Sequence, residues 1–253
     1  MARTQPKLTG VLPRRYFGTE WQPPSRVDEE AALALAQPAA IVELLRPLVD
    51  EKRAARIDEV TAGRLSGVIV VLEDLHDPHN GGAVLRSSEA MGVSEVHIIA
   101  SRERFRVSDK VTQGCDKWLD VMEHHSTASS LSALRQRGFR LAAAVPGVAT
   151  QIHDLDPRQP TALLMGNEHA GLSAEARALC DVEFAIPLHG FSESLNLSVA
   201  TALCVFSLTS RRRAALGRAG DLDDAALTEL RARFYLRDVR GSLAIVRNRL
   251  GAH

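Results

Sequence analysis

Short apolar runs alternate with amphipathic stretches along most of this chain. Runs at residues 67–73, 94–100, 118–123, 139–145, 162–165 and 182–186 have strand length. The first, GVIVVLE, is a continuous β-branched run of the type buried on both faces. Helical stretches lie between them at residues 81–92 and 128–137, and a long apolar one runs from residue 197 to about residue 216. Strands and helices at this spacing predict an α/β fold: a mainly parallel sheet with helices on both faces. Asn80, just ahead of the 81–92 stretch, is placed to cap that helix. Residues 28–62 read as helical with interruptions at Pro38 and Pro47, and Gly63 closes them. Two further helices are expected at residues 223–235 and 238–250. Residues 1–27 carry Pro6, Pro13, Pro23 and Pro24 among basic and aromatic residues, and read as an extended arm that orders on a partner. The chain is therefore expected to divide into 1–62, a basic arm and helical extension; 63–216, the α/β domain; and 217–253, a helical, arginine-rich extension.

Residues 163–202 concentrate the unusual polar positions. Two buried strands there each end in a glycine-bearing turn, Gly166-Asn167-Glu168-His169-Ala170-Gly171 and Pro187-Leu188-His189-Gly190. Glycine, lacking a Cβ, lets a backbone approach a ligand closely. The second turn leads to Ser194-Leu195-Asn196-Leu197-Ser198 at the start of the long helix. Such residues either cap a helix or form a ligand site at the strand ends, where open α/β sheets bind small molecules. On spacing alone, capping is the simpler reading.

Composition narrows the setting. The chain has 253 residues, 45% of them hydrophobic, enough for a substantial core. No apolar run approaches the ~20 residues that span a bilayer, and the N-terminus lacks the apolar core of a secretory signal, so a cytoplasmic protein without a membrane segment is expected. Cys115, Cys180 and Cys204 show no paired spacing and fit reduced thiols. The 31 basic and 31 acidic residues cancel. Their distribution is uneven, with Arg14 and Arg15 in an acid-free amino terminus and Arg211, Arg212 and Arg213 opening an arginine-rich carboxyl end. Such patches neutralise phosphates locally, although an arginine-rich helix also makes an ordinary solvated face.

No GxGxxG follows a strand, and neither GxxxxGK[ST] nor GxSxG occurs, which removes support for dinucleotide, P-loop and serine-hydrolase readings. His76 and His79 have no partners at metal-ligand spacing, so no metal is expected. Three pieces remain: His79-Asn80 with Arg86 behind them, Gly166-Asn167-Glu168, and Ser194-Leu195-Asn196. Each begins where a strand ends. Arginine offers a planar fork for phosphate, and asparagine amides hold hydroxyl or backbone groups. With no evident nucleophile–base pair, the set suits positioning an anionic, hydroxyl-bearing substrate for group transfer.

These pieces resemble the three signature motifs of the SpoU/TrmH family, the RNA ribose 2'-O-methyltransferases of the SPOUT class. They stand here as EDLHDPHNGGAVLRSSEAMGV, TALLMGNEHAGLS and IPLHGFSESLNLSVATAL, in the family's order, with QGCDKWLDV between the first two. The resemblance covers residues 54–216 and is closest to the branch that methylates a guanosine ribose in the tRNA D-loop. It implies a deep C-terminal trefoil knot, an exception to the rule against threaded chains, and a homodimer with each site completed across the interface. It implies S-adenosyl-L-methionine (AdoMet) held by backbone near Ala144, Gly166, Ile186, Leu188 and Leu195. Asn80, Arg86, Glu168, Ser194 and Asn196 match the family's active-site positions. Arg86 has been cast as the base. Since a guanidinium holds its proton tightly, gripping the adjacent phosphate is the chemically easier role.

The chain departs from the pattern at Asp77, where lysine is frequent among tRNA-modifying relatives, at Gly81-Gly82, where bulkier residues follow the asparagine, and at Glu193, where glutamine is common. These bear on RNA preference more than on chemistry. Arg14, Arg15, Arg211, Arg212 and Arg213 are expected to grip RNA. Ribosomal RNA is the alternative target to tRNA. A knotted RNA-binding module without catalysis is the reading from another class, and retention of all five polar positions argues against it.

Overall fold

The computed structural model of this chain describes residues 23–100 and 114–251, which fall into two compact units. The helical unit begins with α1 (Arg26–Leu35), whose N-terminus is closed by a capping box between Ser25 and Asp28. Pro38 ends that path and opens α2 (Pro38–Leu45) at its first turn, where a missing N–H costs nothing. Pro47 falls in a 3-10 turn, Arg46–Leu48, and α3 (Glu51–Ala62) follows under an Asp50 cap. Both proline interruptions read from the sequence are present.

The α/β unit starts at β1 (Leu65–Glu73). The following helix, α4 (Pro78–Ala90), starts earlier than expected: Asp77 is its N-cap, accepting from the His79 amide at 2.8 Å, and Pro78 occupies the first turn. Asn80 is therefore inside the helix rather than capping it, which frees its side chain for other contacts. The chain continues through β2 (Val93–Ile99), a 3-10 turn at Cys115–Trp118, β3 (Asp120–His124), α5 (Thr127–Gln136), β4 (Arg140–Ala144), β5 (Thr161–Met165), α6 (Ala174–Leu179), β6 (Val182–Phe184) and α7 (Leu197–Leu216). Trp118 belongs to the 3-10 turn, so the third strand starts two residues later than its sequence pattern indicates. Gly217 ends α7 in the left-handed conformation, φ 65°.

All the pairings are parallel and the sheet order is β3-β2-β1-β5-β4-β6. The strand period of two sorts β1 onto two faces. Val68, Val70 and Leu72 pack with Val84 and Leu85 of α4 and Cys204, Val205 and Leu208 of α7. Ile69 and Val71 pack on the other face with Leu131 and Leu134 of α5 and Ala176 of α6. The expectation of a parallel sheet sandwiched by helices holds. The chain builds outward from β1 to β3, then returns to the other side of β1, so the order reverses between β1 and β5. Such a reversal opens a crevice at the carboxyl ends of the strands.

The helical unit is completed by α8 (Asp224–Asp238) and α9 (Ser242–Leu250). Its centre holds an ion pair that no sequence pattern announces: the buried Arg237 donates to both carboxylate oxygens of the buried Glu29, at 2.6 and 2.9 Å. Fork-to-carboxylate geometry satisfies both groups where an unpaired charge would be costly. Arg53 forms a second two-point pair with Asp238.

Candidate active site at the carboxyl ends of the strands

The loops after β1 and β5 meet at the crevice. Asn167 ties them together: its Nδ2 donates to the Asp74 carbonyl at 2.6 Å, and its Oδ1 accepts from the amides of His169 and Ala170. Asn167 and Gly171 also exchange both backbone hydrogen bonds, closing the turn. Gly166 is required by that closure, since a Cβ there would strike the backbone of Gly171 and Leu172. The sequence offered its glycine as a place for a ligand to approach; the close neighbour is the protein's own chain. Gly171 takes φ 67°, which favours glycine.

Glu168 projects from this turn onto the start of α4. Its Oε1 accepts from Asn80 Nδ2 at 2.8 Å and from the Asp77 amide at 3.3 Å, and its Oε2 accepts from the His76 amide at 3.1 Å. Burial works to raise its pKa, but the hydrogen bonds from Asn80 and from the backbone amides of Glu168, His76 and Asp77 outweigh that and lower it. Glu168 is thus a carboxylate that accepts, poorly suited to take a proton. Asn80, only 8% exposed, has its Oδ1 filled by Asn196 Nδ2 at 3.1 Å. Asn196 in turn uses Oδ1 to cap α7, accepting from the Ser198 amide and hydroxyl and from the Val199 amide. Capping and site formation, posed as alternatives from the sequence, are two halves of one amide.

Beside this array lies a cavity of about 410 Å³, within the usual range for small-ligand pockets, roughly 300–1,000 Å³. All five positions expected to hold AdoMet line it: Ala144, Gly166, Ile186, Leu188 and Leu195. Glu168, Ser194 and Asn196 line it too. The walls are mostly apolar, and the backbone N–H and C=O groups of Ile186, Leu188 and Leu195 make no hydrogen bond within the described chain. Orphan backbone groups beside apolar walls suit a nucleoside with an aliphatic tail. The residues present therefore fit the cofactor.

Other expected residues stand elsewhere. Arg86 is exposed on α4 and makes no hydrogen bond or ion pair with Asn80, Glu168, Ser194 or Asn196. Arg14 and Arg15 lie outside the described residues. Arg211, Arg212 and Arg213, expected to grip RNA, are used internally. Arg211 donates to the carbonyls of Ile152, His153 and Leu155, Arg212 (6% exposed) to those of Pro157 and Arg158, and Arg213 to that of Met91. Three consecutive helical residues point in different directions, about 100° apart, so they form no common patch.

Sequence reasoning missed Glu73. At 3% exposed it accepts from the hydroxyls of Thr127 and Ser173 and from the Ser173 amide, pinning the start of α6, and with it the far end of the Glu168 turn, to β1. A carboxylate ending an otherwise buried apolar run was the available signal. Among the described residues, no group of three or more His, Cys, Asp or Glu side chains is placed to hold a metal.

The profile of the SpoU rRNA Methylase family matches residues 67–206, more than half of the chain. This protein belongs to the SpoU family. The match begins two residues into β1 and ends within α7, so it takes in every loop that lines the cavity. Among SpoU relatives, the tRNA (guanosine(18)-2'-O)-methyltransferase of Escherichia coli K12 is 35% identical over 162 residues, 64% of this chain and 71% of its own. The A. aeolicus TrmH/SpoU tRNA modifying enzyme superposes with a TM-score of 0.66 at 28% identity, covering 75% of this chain and 98% of that one. The SpoU methyltransferase AviRb from Streptomyces viridochromogenes, solved in complex with AdoMet, gives a TM-score of 0.54 at 26% identity over 60% of this chain and 62% of its own.

Proposed function

We propose that this protein is an AdoMet-dependent tRNA 2'-O-ribose methyltransferase that modifies a D-loop guanosine, the reaction named for its E. coli relative. The observation that carries the reading is the Glu168–Asn80–Asn196 chain at the edge of a nucleoside-sized cavity.

The cofactor, when bound, supplies a methyl group already activated on a sulfonium. The protein's part is placement. With the cofactor bound, the ribose 2'-oxygen would take that methyl group from the sulfonium, and the hydroxyl proton would leave to the neighbouring phosphate or to water. Glu168 stays ionised and holds Asn80. Asn80 and Asn196 lock each other's amide orientation, and Ser194 presents its hydroxyl at the cavity wall. Fixing the two reactants in line is the main source of rate for such a transfer.

Arg86 is read as the grip on the phosphate beside the target ribose. Its exposure, with no hydrogen bond to the Asn80 array, is accommodated if a second subunit completes each site. A homodimer also gives a partner to the exposed apolar stripe Val199, Leu203 and Phe206 on α7, 48%, 45% and 56% exposed. The division at 1–62, 63–216 and 217–253 is kept, with the middle piece as the methyltransferase domain and the flanking pieces, including Arg14 and Arg15, as RNA contacts. We read residues 163–202 as the knotted segment and the cytoplasm as the place of work, since that is where tRNA is modified.

The test is methyl transfer from labelled AdoMet to unmodified tRNA and, separately, to ribosomal RNA, with the modified nucleotide mapped. Label at a D-loop guanosine is the expected result. Label in ribosomal RNA alone keeps the chemistry and replaces the target. Cofactor binding without transfer to either moves the binding-module reading forward.

A further inference from the structure

We propose that Phe191 is the surface on which the base of the target nucleotide stacks, so that this residue sets RNA affinity at the mouth of the site. The inference rests on the methyltransferase reading and deepens it. Phe191 is the most exposed large apolar side chain among the described residues, at 108% relative accessibility. Folding gains nothing from it in the isolated chain. It stands in the middle of the loop whose other members, Leu188, Glu193, Ser194 and Leu195, line the cavity. The loop after β5 brings a second flat side chain to the same cavity, His169, against which His76 rests edge-to-face at 5.7 Å between ring centroids.

The chemistry explains why an aromatic would be presented there. A 2'-hydroxyl reaches the Asn80–Glu168–Asn196 array only if its nucleotide is drawn out of the RNA stack. The base then loses its neighbours, at a cost. Proteins that act on extruded or single-stranded nucleotides replace the lost stacking with aromatic faces. A phenylalanine serves this purpose without choosing the base, leaving selection to other contacts.

The proposal is tested with the full-length protein and an unmodified tRNA transcript. Phe191→Ala should raise KM for tRNA roughly 5- to 150-fold, the range of one lost base stack, with a smaller effect on kcat. Phe191→Tyr and Phe191→Trp should recover most of the loss, whereas Phe191→Leu, equally apolar but without a π-face, should not. AdoMet affinity and sedimentation should match the wild type in all four. The Trp variant also gives a readout independent of turnover: tRNA should quench its added fluorescence relative to the wild-type background, and AdoMet alone should not. Failure of the wild type to transfer methyl to any RNA would sink the methyltransferase reading, while the quenching experiment still decides the stacking role. An unchanged KM in Phe191→Ala, or absence of quenching, overturns the proposal. So does a variant that loses its dimer and is rescued by leucine, which would assign Phe191 to a contact between subunits.

Discussion

Asn80 and Glu168, 88 residues apart, meet at 2.8 Å through an amide-to-carboxylate hydrogen bond that joins the first turn of α4 to the loop after β5. The polarity of that contact is fixed from both sides. Glu168 can only accept while ionised, and Asn80 must point its NH₂ at it because its oxygen is taken by Asn196. A flip of the Asn80 amide would break both of its bonds, and a flip of the Asn196 amide would break its bond to Asn80 together with those that cap α7.

Asn80→Asp should therefore be worse than Asn80→Ala. The aspartate sets a carboxylate against the Glu168 carboxylate where a donor stood, whereas alanine only leaves the Glu168 oxygen without that donor and the Asn196 amide without its acceptor. Two carboxyls this close do not both stay ionised, and one pKa of the pair rises. The activity of Asn80→Asp should recover relative to Asn80→Ala as pH falls, because the shared proton restores a hydrogen bond. Parallel pH–rate profiles of the two variants check this, and identical profiles would refute the assigned polarity.

Asn196 allows its two duties to be separated. Asn196→Asp keeps the oxygen that caps α7 and loses the amide that reaches Asn80. It should melt near the wild-type temperature and lose about a hundredfold in kcat, the scale of a misplaced reactant. Asn196→Ala loses both contacts, so its melting temperature should also drop by a few degrees, corresponding to a missing cap of about 1 kcal/mol. Calorimetry and single-turnover kinetics on the pair measure the two effects independently. Equal melting temperatures would show that the cap contributes nothing.

How far the sequence foretold this arrangement depended on the range of the interaction. α7 appears at Leu197–Leu216, where its apolar run and the cap-type residues before it, Asn196 among them, put it, because caps and periodicity are local signals. The five cavity-lining positions were reached through motif resemblance, and they do line one cavity. Asn80 reads from its neighbours as a cap, a role Asp77 performs, and only the motif resemblance sets it beside Glu168, because nothing near it in the chain announces a partner 88 residues away. Arg211, Arg212 and Arg213 looked like a solvated basic patch for the same reason. Their carbonyl partners lie 54 to 122 residues away, and a free carbonyl leaves no trace in residue type.

Those arginines give a third prediction. Arg211→Ala removes a guanidinium that holds three carbonyls of the 152–155 turn, and a hydrogen bond to a charged group contributes about 1.5–3 kcal/mol net of its exchange with water. Its melting temperature should fall by several degrees. Gly67→Ala should have a like effect by another route, since the new Cβ runs into the Arg212 guanidinium. RNA affinity measured well below either melting point, and its salt dependence, should stay at wild-type values. A reduced salt slope in folded Arg211→Ala would return this residue to the RNA surface.

Acid should destabilise the fold through one buried cluster beside β3. His97 Nε2–H donates to Glu95 at 3.2 Å, and Arg137 donates to the same carboxylate at 2.8 Å. His97 Nδ1 and His124 Nε2 share a hydrogen bond at 2.9 Å, their rings parallel to within 3°. Burial, then the nearby charge of His97 and His125, lowers the His124 pKa from 6.5 to about 4. Burial opposes ionisation of Glu95, but His97 and Arg137 prevail and bring it from 4.5 to about 2. Both shifts act in one direction. The unfolded chain takes up a proton at His124 near pH 6.5, and the folded chain does not until about pH 4, so stability present above 6.5 is lost across that interval. Glu95 adds a second loss as pH falls from 4.5 towards 2. The melting temperature should thus start to decline below about pH 6.5, ahead of the range where carboxylates titrate. His124→Gln keeps a donor for His97 and removes the titration, so its melting temperature should stay flat between pH 6.5 and 5. A wild-type curve equally flat over that interval would show that His124 keeps its ordinary pKa in the fold.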